Sequence, residues 1–262
     1  MAEPPAPSDI AARLRAATQA RIALGRTGQS LTTTALLEFE LAHARARDAV
    51  LTDLDTDALR AALVDDDLIE VHSRAGDRAT YLQRPDLGRL LEPADAARLT
   101  PSGANLAIVI GDGLSATAVH HHAAPLVAAL ARRLAGWSIA PLVVAHHARV
   151  ALGDEIGAAL GVDLVVMLIG ERPGLSAPDS LGAYLTWAPR AGRRDSERNC
   201  VSNIRPPHGL GYAGAAHRIG WLADTARTIG LTGVDLKDEC PPEDAAVALD
   251  RAIALPAGSR LP

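Results

Sequence analysis

Residues Leu164–Arg190 read LVVMLIGERPGLSAPDSLGAYLTWAPR, and the first third of that stretch decides the fold. Leu164 to Ile169 is an unbroken apolar run with no polar alternation, the pattern of a strand buried on both faces of a sheet. Such a strand belongs at the centre of the sheet. The turn after it, Gly170-Glu171-Arg172-Pro173-Gly174, then lies at the carboxyl edge, where open α/β sheets meet their ligands. Its glycines let another backbone or a ligand come close. Glu171 could accept hydrogen bonds from an amide or amine of a ligand, or it could pair with a local arginine and fix the loop. Both readings stand on these residues.

Working outward, the chain alternates strands with helices. NLAIVIGDG (Asn105–Gly113) is a strand ending in a glycine turn, and Leu114–Gly136 is helical, with a break expected at Pro125. SIAPLVVAHH (Ser138–His147) is a second strand, and VALGDEIGAALG (Val150–Gly161) is a helix with Leu152, Ile156 and Leu160 on one face. SLGAYLTWAP (Ser180–Pro189) and NCVSNI (Asn199–Ile204) follow as strands, and Ala213–Gly230 is a closing helix stopped by its glycine. This spacing predicts βαβ units: an α/β fold of three layers, a mostly parallel sheet with helices on both faces.

Residues 1–100 read differently, as a smaller, mainly helical N-terminal domain before a second domain at 101–262. Ser8 caps a helix expected over Asp9–Leu24, with Gly25 as its stop. Thr32 caps another, in which Leu36, Phe39, Leu41, Ala42, Ala46 and Val50 leave one apolar stripe. DTDALRAALVD (Asp55–Asp65) suggests a third helix. LIEVHSRAGDRATYLQRP (Leu68–Pro85) alternates around a Gly-Asp centre and reads as a hairpin, and Glu92–Gly103 as a short helix with a Pro/Ser/Gly break.

Composition narrows the function. The chain has 262 residues, 48% of them apolar but only 3% aromatic, so its core is aliphatic. A net charge of -5 without a basic stripe argues against nucleic acid. The longest apolar run is far short of the ~20 residues a membrane helix needs, and the N-terminus lacks a signal-peptide apolar region. Cys200 and Cys240 are too few for a disulfide framework. A protein of the cytoplasm, without membrane attachment, is expected.

Gly111-Asp112-Gly113-Leu114-Ser115-Ala116 fits the dinucleotide fingerprint G-x-G-x-x-A, which keeps a stand-alone NAD-dependent oxidoreductase as the alternative function. Against it, the next strand ends in His146-His147 where a ribose-binding acid belongs, and Asp112 would repel a pyrophosphate. A tight strand-to-helix turn explains the loop as well. His120-His121-His122 and His146-His147 suggest a metal, but adjacent helical residues diverge, so no metal site is expected. Gly153, Gly157 and Gly161 recur at intervals of four, serving either a flat ligand or close helix-on-sheet packing. Cys200, in SERNCVSNIRP, lacks the surroundings of a nucleophile and reads as a packing thiol or a ligand contact.

Taken together, several stretches are similar to the small (light) subunit of ethanolamine ammonia-lyase. They are Arg21–Val50, Tyr81–Leu91, Ile108–Val119, Ala148–Gly161, Val165–Arg190 and Glu197–Pro206, in family order. The most specific are GERPGL-x-x-x-x-SL and R-N-C-x-S-N-I. The resemblance implies a helical N-terminal part and a Rossmann-like C-terminal domain. It implies packing against a TIM-barrel large subunit, with adenosylcobalamin between the two and several copies of each in a hetero-oligomer. The assembled carbon–nitrogen lyase, inactive without the large subunit, would convert ethanolamine to acetaldehyde and ammonia by a radical route.

By the same resemblance the cobalamin contacts of this chain map onto Val150 through its backbone, Glu171 and Cys200, with no catalytic residue and no metal ligand here. Where the family has G-R-V, this sequence has Ala148-Arg149-Val150. The sequence has no D-x-H-x-x-G motif, and the resemblance implies base-on cobalamin, which keeps its own dimethylbenzimidazole on cobalt. Gly153 and Gly157 would then lower the backbone beside the macrocycle. Members packaged in a bacterial microcompartment tend to carry a longer extension before the first helix. A cytosolic enzyme is therefore expected, with microcompartment residence as the alternative.

Overall fold

The computed structural model describes residues 9–63 and 67–242. In chain order the elements are α1 (Asp9–Ala17), β1 (Arg26–Thr27), β2 (Ser30–Leu31), α2 (Thr33–Leu51), α3 (Thr56–Leu63), β3 (Ile69–His72), α4 (Arg78–Gln83), α5 (Pro93–Ala96) and β4 (Leu106–Gly111). They continue with α6 (Ala116–Arg133), β5 (Val143–His146), α7 (Leu152–Leu160), β6 (Leu164–Gly170), β7 (Leu181–Trp187), β8 (Asn199–Ile204) and α8 (Tyr212–Ile229).

The strands β3 to β8 form one mixed α/β sheet in the order β3-β5-β4-β6-β7-β8. β3, β5, β4 and β6 pair in parallel, whereas β7 and β8 run antiparallel to their neighbours. β6 is central, and all seven of its residues are buried, as its unbroken apolar run requires. Alternate residues serve two separate cores. Ile108, Ile110, Val166 and Leu168 pack with α6 and α8 on one face, and Val109, Val165, Met167 and Ile169 pack with α7 on the other.

Four expectations need correction. Leu68–Pro85 is no hairpin: β3 joins the sheet edge in parallel with β5, and Asp77 caps α4 by accepting from the Thr80 N–H at 2.7 Å. The Gly76 that suggested a hairpin turn is instead a left-handed residue (φ 69°) leading into that cap. The small hairpin of this region is β1–β2. Second, α1 ends at Ala17 rather than Leu24, and its expected cap, Ser8, lies outside the described residues. Third, α6 runs unbroken through Pro125. Fourth, the α2 stripe is only partly covered among the described residues, with Ala42, Ala46 and Val50 half-buried. Leu36, Leu37, Phe39 and Leu41 are exposed, and only Ala35 and Ala49 are buried.

The glycine spacing on α7 belongs to packing. A Cβ at Gly153 would press on Val165 at 3.2 Å, one at Gly157 would collide with Val165 and Pro189, and Gly161 is the left-handed C-cap. These glycines face β6 and the chain beside it, so they lower the helix onto the sheet and not onto a macrocycle. Gly157→Ala should therefore destabilise. The gain of about 1 kcal/mol in helix propensity is outweighed by overpacking of about 1–3 kcal/mol. Urea unfolding should show a net loss, and a gain in stability would mean that α7 can shift freely off β6.

Candidate functional site

The carboxyl ends of β4, β5 and β6 carry three turns that lock together. Leu114 donates its N–H to the Gly170 carbonyl at 2.9 Å, and Ser115 donates its hydroxyl to the Pro178 carbonyl at 2.8 Å. Gly113, at φ 56°, has no room for a side chain against that same Gly170 carbonyl. Ser115 also caps α6 through the Ala118 N–H. The loop that matches G-x-G-x-x-A is thus filled by its own chain, which leaves no cradle for a pyrophosphate.

Asp112, the residue that argued against a dinucleotide, is buried beneath this turn. It accepts from the N–H groups of His147 (3.0 Å) and Ala148 (2.8 Å) and pairs with Arg78 Nη1 at 3.1 Å. His147 is held in the left-handed region at φ 52°. Asp112 therefore fixes the turn that delivers Arg149 and Val150.

Beside these turns lies a groove in two adjoining parts, of about 440 Å³ and about 360 Å³. Val150, Arg149 and Tyr184 line both parts, Glu171 the first and Cys200 the second. The structure thus brings the three expected contact residues to one surface. Val150 receives the Gly153 N–H on its carbonyl at 3.1 Å, and no acceptor among the described residues meets its own N–H.

Glu171 makes no ion pair with an arginine among the described residues. Its carboxylate accepts from the Ser202 hydroxyl on Oε1 (2.6 Å), and from the Ser180 hydroxyl (2.6 Å) and the Asn203 N–H (3.3 Å) on Oε2. A carboxylate has about four lone-pair sites, so about one stays available. Room for the side chain comes from Gly182, where a Cβ would lie 2.9 Å from Oε1.

Tyr184 and Cys200 are paired across β7 and β8 on the same sheet face as α7, beyond the edge of that helix. Cys200 is open at the groove rim, yet the desolvating wall around its sulfur, with the Glu171 charge, pushes its pKa up. It stands as a thiol, not a thiolate nucleophile. Burial, then the neighbouring Cys200, raises the Tyr184 phenol likewise. Arg149 stacks over the Tyr81 ring at 4.3 Å, and its buried Nε has no partner.

The sequence reading missed Tyr184, Gly182, Ser180 and Ser202. The period-2 alternation in SLGAYLTW was the usable signal: Leu181, Ala183 and Leu185 enter the core, so Gly182 and Tyr184 must share the opposite face. The histidine triplet is split between exposed and buried rings. His120 Nε2 accepts the Asp55 N–H at 2.9 Å, but His121 and His122 both approach Asp179.

These features define a mixed α/β protein with a polar groove at its carboxyl edge, lined by Val150, Glu171, Tyr184 and Cys200. The family model for Ethanolamine ammonia-lyase light chain (EutC) matches residues 8–237, and the chain belongs to that family. It is 54% identical over 243 residues to the ethanolamine ammonia-lyase small subunit of Xanthomonas campestris pv. campestris (strain B100), covering 89% of each chain. Identity to the small subunit of Rhodopseudomonas palustris (strain BisA53) is 55% over 242 residues, covering 90% of this chain and 92% of that one. The small subunit of Pseudomonas syringae pv. tomato (strain ATCC BAA-871 / DC3000) is 50% identical over 244 residues, with 89% and 85% covered. No helix among the described residues is long and apolar enough to cross a membrane.

Proposed function

We propose that this chain is the small subunit of an adenosylcobalamin-dependent ethanolamine ammonia-lyase, and that it holds one edge of the cofactor against a large subunit bearing the substrate site. The observation that carries this is the Glu171 carboxylate, oriented by three internal donors with acceptor capacity left in the groove. The corrin rim is lined with amide side chains, which both donate and accept, so the donor set fits. The Val150 N–H and Arg149 Nε would serve the rim carbonyls, and Glu171 would accept from a rim amide N–H. When bound, the cofactor supplies an adenosyl radical for hydrogen abstraction. This chain's residues orient the corrin edge, and Tyr184 and Cys200, both kept protonated, border the groove without adding charge.

The test is reconstitution: the chain is mixed with an ethanolamine ammonia-lyase large subunit, and adenosylcobalamin binding and acetaldehyde release are measured. An inactive pair, with NAD binding by this chain alone, would overturn the proposal. A sharper prediction concerns Glu171→Gln. Losing a charged acceptor should weaken cobalamin binding by about 1.5–3 kcal/mol, roughly 10- to 150-fold. Ser180 and Ser202 can rotate their hydroxyls to suit the amide, so the melting temperature should hold. Unchanged cobalamin affinity with a lowered melting temperature would show that Glu171 is only a loop staple.

A further inference from the structure

Two of the three histidines on α6 converge with a carboxylate from the segment joining β6 to β7. Asp179 Oδ2 lies 3.5 Å from His121 Nδ1 and 3.8 Å from His122 Nε2, and the three ligand atoms all lie within 4.8 Å of one another. The His122 side chain is only 7% exposed, and its Nε2 is buried without a hydrogen-bond partner. Its distance to Oδ2 is too long for a hydrogen bond. A buried, unpaired ring nitrogen aimed at a carboxylate across such a gap needs something between them.

We propose that His121 Nδ1, His122 Nε2 and Asp179 Oδ2 bind a divalent transition-metal ion of the zinc class, the fourth position being left to water on the exposed His121 side. The metal–ligand distance of about 2.0–2.2 Å for zinc implies ligand–ligand edges of roughly 3.3–3.6 Å in a tetrahedron, so the two edges to Asp179 require only small side-chain adjustments. The two imidazoles stand edge to face at 79°, which lets their lone pairs meet at one point. The outer groups are also present. His122 Nδ1 is bonded to the Tyr212 hydroxyl at 2.9 Å, and Arg205 Nε holds the other Asp179 oxygen at 2.5 Å, turning Oδ2 toward the histidines. The guanidinium also offsets part of the carboxylate charge, so the affinity should be modest. The site opens into a cleft of about 680 Å³ whose far wall includes Gln19, Arg21 and α2 residues.

A second cluster, Glu70, His72 and His146, does not offer the same geometry. Its imidazoles stack nearly parallel at 15°, and His146 Nε2 is already bonded to Glu70 at 2.7 Å and close to Thr56 Oγ1 at 3.0 Å. It is a closed hydrogen-bond network.

Titration of the full-length chain with Zn²⁺ by calorimetry, and with Co²⁺ by visible absorption, tests the site. Expected is one ion per chain, a tetrahedral Co²⁺ spectrum and a melting temperature raised by Zn²⁺. His121→Ala, at an exposed position, should leave the apo fold intact and abolish the Co²⁺ spectrum. Tyr212→Phe should weaken Zn²⁺ by about 10–100-fold. His120→Ala and His146→Ala should bind as the unmodified chain does. Stoichiometric binding that survives His121→Ala, or that is lost instead with His146→Ala or Cys240→Ser, would overturn the proposal, as would no binding at all.

Discussion

Asp112→Ala is expected to cost about 3–5 kcal/mol of stability, enough to unfold a marginal domain. The carboxylate is 2% exposed and serves three donors at once, Arg78 and the His147 and Ala148 amides. Arg78 is buried too. It bonds the Gly113 carbonyl through Nη1 and the Val50 carbonyl through Nε, and its Nη2 already lacks a partner. Deleting the carboxylate strands a buried cation and two amides together, which costs more than the ion pair contributes. His147 would also lose the bond that holds its left-handed backbone, so the turn carrying Val150 should loosen. Urea unfolding checks the first effect, and amide exchange at residues 146–150 the second. A loss below about 1 kcal/mol would mean that the turn is held from elsewhere.

Arg198→Leu should be comparably severe, at about 3–5 kcal/mol. Arg198 and Asp154 are each 2% exposed, with Nη1 at 2.5 Å from Oδ1, and the same guanidinium reaches Thr186 at 3.0 Å and the Arg193 carbonyl at 2.9 Å. It ties α7 to β7 and to the loop before β8, and it lines the groove beside Cys200. Burial raises the Asp154 pKa even with the arginine present. Without it the folded pKa should rise further above the unfolded value. The folded state then binds more protons in the window between the two, and stability falls as pH rises through it. The variant should therefore be least deficient on the acid side. Replacing both partners, Asp154→Leu with Arg198→Leu, removes the stranded charge and should recover much of the loss. Equal losses for the single and double variants at neutral pH would show that the thirteen-residue span Thr186–Arg198 depends on the Thr186 and Arg193 bonds instead.

The core of the sheet was legible because its strands are apolar throughout. An unbroken run such as Leu164–Ile169 has one stable placement, and helices carry caps where the chain suggests them, at Thr32 and Gly230. Short polar segments were harder. Ile69 to His72 alternates like a hairpin arm, and nothing local reveals that its partner is Val143–His146, some seventy residues on. The site was half legible. Its carboxylate was marked by the glycines around it, but the hydroxyls that orient it come from Ser180 and Ser202, on strands whose face is set only by register. The approach of His121 and His122 to Asp179 was hidden for a similar reason. Helical geometry alone separates adjacent side chains, and it does not say where a carboxylate from a distant segment will enter between them.

The reversal of strand direction after β6 explains why there is a groove at all. Had β7 continued in parallel, a crossover helix would have been needed to return the chain, and right-handed winding would have laid it across a face of the sheet. An antiparallel neighbour needs no such return: Glu171 to Ser180 suffices to bring the chain back beside β6. The sheet is thus widened by two strands while the α7 layer stops short. The bare strip beyond it, with Tyr184, Cys200 and Ser202 along it, is surface that a fully wound sheet of the same width would have hidden from any partner or cofactor.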